Sequence, residues 1–176
     1  MTKARDIADG TSVDTSLFVQ KDVNGVIEAL DGSALTGIGG GEVLQVVNEI
    51  FTHDKSTSSQ SYTTGADWAK ASITPTAADS RIYVQFSSTG RNGSGGGETF
   101  YTIYRDDSIN LAGNTSGLCV TKIQDTGTTP LYMGLIDTPN TTNQVDYQIY
   151  MKQNYGVDGY YGRDGLTTFT LIEIAA

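Results

Sequence analysis

The chain has 176 residues, with 20 Asp and Glu against 11 Lys and Arg and a formal charge of −9. That balance excludes the basic face nucleic-acid binding requires and sets the chain against an anionic membrane surface. With 21 glycines, 10 tyrosines and only 3 prolines, and few helix formers, the composition suits short strands and turns. No apolar run approaches the roughly 20 residues of a spanning helix. No apolar stretch follows Met1-Thr2-Lys3-Ala4-Arg5-Asp6, so no secretory signal is expected. The single cysteine, in Leu118-Cys119-Val120, cannot form an intramolecular disulfide and reads as a buried, inert thiol.

Residues 1–42 differ from the rest. After a short polar run they carry Leu17-Phe18-Val19, the turn signal Asn24-Gly25, and Val26-Ile27-Glu28-Ala29-Leu30. These apolar clusters are too small and too far apart to form a core. The segment therefore reads as a disordered tail or as an extended arm that orders on a partner, and the spacing of the clusters favours the arm. Leu17, Phe18, Val19, Val26, Ile27 and Leu30 are its candidate docking contacts. Thr36-Gly37-Ile38-Gly39-Gly40-Gly41 reads as a linker.

Residues 43–176 read as one β domain. A strand is expected at Val43 to Phe51, then a polar loop or ragged edge strand from Thr52 to Tyr62, then a strand from Trp68 to Thr74 stopped by Pro75. Arg81 to Ser87 alternates strictly, with Ile82, Val84 and Phe86 on one face. Glu98 to Arg105 is a second aromatic and β-branched run. The glycine-rich stretch Ser88 to Gly97 between them reads as a hairpin loop that pairs the two. Further strands are expected at Leu118 to Gln124, Leu131 to Ile136 and Val145 to Met151, the last with Val145, Tyr147, Ile149 and Met151 inward. A Tyr/Gly/Asp loop from Asn154 to Gly165 precedes a final strand, Leu166 to Ile174. About eight strands separated by turn signals, without helical periods or internal repeats, predict an antiparallel β-sandwich or barrel.

An ordered series of segments carries a resemblance: Val43-Leu44-Gln45-Val46-Val47 after a glycine-rich linker, Ser72 to Ile82, Tyr104-Arg105-Asp106-Asp107-Ser108, and Phe169 to Ala175. The series resembles virion proteins of tailed bacteriophages, especially marine and cyanobacterial phages, of the tail-fibre or head-decoration kind. It covers about residues 43 to 176, and Phe18 to Asp22 and Ala29 to Thr36 are similar to arm or shaft segments of such proteins. The resemblance implies a jelly-roll-like β-sandwich head, commonly trimeric, on an N-terminal attachment segment. It implies no catalytic residues.

Site motifs are sparse. Gly93-Ser94-Gly95-Gly96-Gly97-Glu98 lacks the Lys-Ser or Lys-Thr of a phosphate loop and the dinucleotide-binding spacing. The lone histidine, His53, adjoins Asp54, but sequence neighbours point different ways and do not form a dyad. Asp106-Asp107, or Asp158 with Asp164, supply the carboxylates a glycoside hydrolase would need, without the length or repeats of a depolymerase. No His/Cys cluster or calcium-loop pattern is present, so no metal or cofactor is expected. Asn92-Gly93-Ser94, Asn114-Thr115-Ser116 and Asn140-Thr141-Thr142 match the glycosylation sequon, yet a phage protein made in bacterial cytoplasm would not be modified. The best recognition candidate is the 154–164 stretch. There Tyr155, Asp158, Tyr160, Tyr161, Arg163 and Asp164 combine flat aromatic area with charges suited to a glycan. The alternative is that Tyr160 and Tyr161 pack beneath the loop or at a subunit seam.

Taken with what the resemblance implies, the expectation is a non-enzymatic homotrimer on a virion surface. Its arm, residues 1–42, docks on the capsid or tail, and its head, residues 43–176, is exposed and available to host-surface glycan. The alternatives are a carbohydrate-binding module and a receptor-binding tail-fibre tip.

Overall fold

The computed structural model describes residues 41–93, 97–122 and 127–176. The proposed arm contacts, Leu17, Phe18, Val19, Val26, Ile27 and Leu30, lie outside the described residues. The described residues form eleven strands and no helix. They are β1 (Val43–Phe51), β2 (Lys55–Thr57), β3 (Lys70–Ile73), β4 (Arg81–Asn92), β5 (Glu98–Arg105), β6 (Ile109–Asn110), β7 (Cys119–Lys122), β8 (Thr128–Asp137), β9 (Val145–Gln153), β10 (Gly159–Tyr161) and β11 (Thr167–Ile174).

Two antiparallel sheets result. Sheet I contains β1, β2, β4, β8, β10 and β11, and sheet II contains β3, β5, β6, β7 and β9. Several strands are pieces of one ribbon. β11 and then β10 run along one side of β4, pairing with residues 81–87 and 90–92. β1 and β2 flank β11 and β10 in the same order. β6 and β7 share one edge of β5. Counted as ribbons there are eight in chain order. Sheet I places them first, eighth, third, sixth; sheet II places them second, seventh, fourth, fifth. That order is the double Greek key of a jelly roll, the β-sandwich the sequence predicts.

One expectation is overturned. β4 and β5 are not a hairpin: β4 pairs with β8, β10 and β11, and β5 pairs with β6, β7 and β9 in the other sheet. The chain passes from sheet I to sheet II between Asn92 and Glu98. β4 also runs five residues past the expected end at Ser87. Its alternation continues, with Ile82, Val84, Phe86, Ser88, Gly90 and Asn92 all buried. Small residues are needed there because a partner ring comes across the core. A Cβ on Gly90 would lie 3.0 Å from the Tyr101 hydroxyl. Asn92 then clips the crossing. Its amide donates to the Gly97 carbonyl at 2.6 Å and the Thr121 carbonyl at 3.2 Å, and its Oδ1 accepts from the Thr99 and Thr121 hydroxyls. All four hydrogen-bonding positions of a fully buried amide are filled, which removes the cost of burying it.

Inward residues of both sheets form one core. Ile82, Val84, Phe86, Phe169 and Leu171 of sheet I meet Ile103, Val145, Tyr147, Ile149 and Met151 of sheet II. Each such side chain contributes roughly 1.5–3 kcal/mol of transfer free energy. Phe86 lies edge-to-face with Tyr161 and Phe169, and Trp68 with Tyr161.

Three tyrosine hydroxyls tie the sheets through this core. Tyr161 accepts from the Ala69 amide at 2.8 Å, and Tyr101 donates to the Tyr160 carbonyl at 2.8 Å. Tyr147 donates to Asp137, which also receives Arg105. Burial raises all three phenols, Tyr101 to about 12, so each stays neutral.

At the end of the sandwich that holds the β3–β4 turn, Glu173 makes the equivalent tie. It is fully buried and accepts from Gln45 Nε2 at 2.6 Å, the Thr76 amide at 2.7 Å and the Thr76 hydroxyl at 2.8 Å. Burial works against its ionisation, but the surrounding donors outweigh that and hold the carboxyl at about 2.

Candidate functional site

The 154–164 stretch is not a simple loop. Gly159–Tyr161 is β10, inserted between β2 and β4. Strand alternation therefore sends its two tyrosines to opposite sides. Tyr161 points inward and is fully buried against Trp68 and Phe86. This corrects its place in the glycan set, because a ring in the core presents no face to a sugar. The sequence-level alternative, that it packs beneath the segment, describes it.

Tyr160 faces outward and is already engaged. The Arg163 guanidinium lies 5.1 Å from its ring centroid and that of Arg91 6.0 Å away. Its hydroxyl donates to Asp158 at 3.3 Å. Arg163 reaches Asp54 at 3.8 Å, and its carbonyl accepts from the Thr89 hydroxyl. Tyr155 is 73% exposed, and Asp164 is exposed in a left-handed turn at φ 61°. A shallow depression of about 340 Å³ lies beside Asp158 and Tyr160, bordered by Ser58, Gly93, Gly156 and Val157. Of the six expected contacts, Asp158, Tyr160 and Arg163 form one connected surface cluster. Tyr155 and Asp164 lie outside its hydrogen bonds.

The Asp106 and Asp107 carboxylates are occupied structurally. Asp106 and Asp107 are both left-handed turn residues, at φ 50° and 55°. Asp106 accepts from the Asp146 amide and Asp107 from the Tyr150 hydroxyl. The His53 ring packs edge-on against Phe51. Cys119 is half-buried, and desolvation raises its thiol, consistent with low reactivity.

Two surfaces escaped the sequence reading. The first is the outer face of sheet I. One row of residues across all four ribbons is Val46, Ile172, Tyr83 and Ile136. A second, two steps beyond, runs Ile50, Thr168, Ser87 and Tyr132. Val46 is 57% exposed and Ile136 56%, and Ile50 and Tyr132 are as open. The Tyr83 and Tyr132 rings lie over Gly134 and join hydroxyls at 2.7 Å; a Cβ on Gly134 would meet them at 2.9 and 3.1 Å. Among the described residues that alternate outward on β1, β4, β8 and β11 there is no Asp or Glu. The charges are Arg81 and Arg91, toward opposite ends of β4.

The second surface is a cleft of about 470 Å³ on the outer side of sheet II, lined by Gln60, Ser61, Tyr62, Tyr104, Asn110, Asn114, Thr115 and Lys152. Tyr104 on β5 stacks on Tyr150 of β9 at 4.0 Å between centroids, and Tyr62 stands 6.3 Å from Tyr104. The Lys152 ammonium lies 4.8 Å from the Tyr62 ring and 5.1 Å from that of Phe100. Burial, then Tyr104, raises the Tyr62 phenol to about 12, and its hydroxyl donates to the Thr115 carbonyl at 3.4 Å. Gly117, at φ 73°, makes room for that hydroxyl, which a Cβ would approach to 2.5 Å.

No protein-family model matches the chain, and no curated protein matches it. Among solved structures it is similar to a chain from the structure of the infectious bursal disease virus Gx strain, at 9% identity and a TM-score of 0.32. The similarity covers 76% of this chain and 38% of that one, so this chain spans well under half of its length.

Proposed function

We propose that the protein is a structural component of a virion surface. Three copies associate through the outer face of sheet I, the N-terminal segment attaches the trimer to capsid or tail, and the head is exposed. The observation that carries this reading is the carboxylate-free face, on which exposed apolar side chains flank a neutral row of Asn48, Thr170, Gln85 and Gly134. A chain of charge −9 repels its own copies over most of its surface. Val46, Ile50, Ile136 and Tyr132 stand open on a broad face where, among the described residues, no outward carboxylate opposes a like-charged neighbour. A second copy of this chain is the occupant that fits; a heterologous contact whose rotation is that of a three-fold axis closes three copies into a ring. The jelly roll supports the reading as an architecture used by capsid and lectin domains, and the ordered sequence resemblance points the same way. The protein acts by geometry and performs no chemistry. Three attachment segments per trimer raise the strength of a weak contact through effective concentration.

The test is assembly. Deletion of residues 1–36 is expected to leave a folded trimer that no longer copurifies with particles. Retained incorporation contradicts the anchoring role. Copy number relative to the major shell subunit separates a decoration protein, present in hundreds, from a fibre present in a few copies.

A second reading, a carbohydrate-binding module acting through the 154–164 segment, is supported by the Asp158–Tyr160–Arg163 cluster and exposed Tyr155. Glycan-array binding lost in Tyr160→Ala, from a protein that sediments as a monomer, would favour it.

A further inference from the structure

We infer that the cleft on sheet II is a binding site for a short saccharide carrying one carboxylate, of the uronic or sialic acid class. Tyr104, stacked on Tyr150 behind it, and Tyr62 beside it give an aromatic wall against which the apolar face of a sugar ring can lie. About 470 Å³ is room for a short saccharide, within the usual range for ligand pockets.

Polar groups converge on the same space. Asn110 is consumed by its own loop, accepting from the Thr102 hydroxyl and the Ala112 amide and donating to the Asn114 carbonyl. The hydroxyls of Tyr104, Ser61 and Thr115 and the amide of Gln60 have no side-chain partner among the described residues. They suit a ligand dense in hydroxyls.

Lys152 sets the charge. Among the described residues it forms no ion pair, whereas Lys55, Lys70 and Lys122 each hold a carboxylate. No Asp or Glu lines the cleft. The aromatic faces of Tyr62 and Phe100 hold the ammonium in place without neutralising it. One cation matches one anionic group. The chain's charge of −9 disfavours a polyanion such as nucleic acid or a heavily sulfated chain.

The inference is independent of the association face, which lies on the opposite sheet. It is tested by saturation-transfer NMR and calorimetry on the full chain. A glucose oligomer ending in one glucuronic acid is compared with the glucose oligomer of equal length, and sialyllactose with lactose. The expected result is binding of at least one acidic member over its neutral counterpart. In Lys152→Met that preference should fall by roughly tenfold or more, the effect of one charge-assisted hydrogen bond. Tyr104→Ala should abolish binding, and Tyr104→Phe, which keeps the ring, should retain part of it. Thermal melts of each variant establish that it is folded. Binding of neither pair, equal binding of acidic and neutral members, unchanged preference in folded Lys152→Met, or stronger binding of a heparin fragment would each overturn the inference. Sheet I variants that alter association should leave saccharide binding intact, so the two proposals fail separately.

Discussion

Glu173→Gln is the most informative single perturbation of the fold. In the native protein one carboxylate oxygen accepts from Gln45 and the other accepts twice from Thr76. Against the opposing effect of burial, the Ser80 hydroxyl and then these donors lower the carboxyl from 4.5 to about 2. A fall of that size corresponds to about 3 kcal/mol of linked stability. The folded value is depressed, so the contribution is complete above pH 4.5 and is lost as pH falls toward about 2. In Glu173→Gln one acceptor becomes an NH₂ group. Turned toward Gln45 it meets a donor, because Gln45 Nε2 is also committed to the Thr74 carbonyl at 2.7 Å; turned the other way it meets Thr76. The variant should lose about 2–3 kcal/mol near neutral pH, the cost of a buried charged hydrogen-bond group left mismatched. Urea denaturation of both proteins at a series of pH values reads the difference directly. The gap should be full above pH 4.5 and shrink as the solution approaches pH 2. Asp146, which Lys70 and then Ser72 and Gln144 hold at about 2 against burial, titrates in the same window in both proteins and cancels from the difference. A gap that stays constant with acidification, or a variant as stable as the parent near neutrality, would refute the assignment.

Other variants probe single ties. Asn92→Ala strands the Gly97 and Thr121 carbonyls and should cost about 2–4 kcal/mol in urea denaturation; a cost under ~1 kcal/mol would mean the sheet crossing does not depend on it. Tyr161→Phe keeps the core ring but leaves the Ala69 amide without its acceptor. The melting temperature should fall by an amount equivalent to about 1–2 kcal/mol. Tyr155→Ala, at an exposed position, should leave the melt unchanged within ~0.5 kcal/mol.

The long strands were legible because each carries its own alternation: β4, β9 and β11 bury every second residue, as their sequences require. The missed strands, β6 and β10, are two and three residues long and exist because a neighbouring strand continues past them; β2, just as short, is the edge strand that the Thr52 to Tyr62 stretch allowed. That context is not local. The hairpin expected between β4 and β5 failed for the same kind of reason. Gly90 and Ser88 read as loop residues, although their smallness admits Tyr101 from the opposite sheet. Tyr160 and Tyr161 could be told apart only once β10 was a strand. The sheet II cleft draws on residues 60–62, 104, 110, 114, 115 and 152, which no spacing rule connects. The sheet I face was half-written in the odd-numbered residues of β4, but strand order was needed to set Tyr83 between Ile172 and Ile136.

The central claim is self-association through that face, and sedimentation equilibrium on the full chain tests it most directly. The account predicts a mass three times that of the 18.7 kDa chain. It also predicts that Val46→Asp with Ile136→Asp, which places carboxylates where none faces outward, gives a folded single chain. A parent protein that sediments at 18.7 kDa across the accessible concentrations, or a trimer undisturbed by both aspartates, would contradict it.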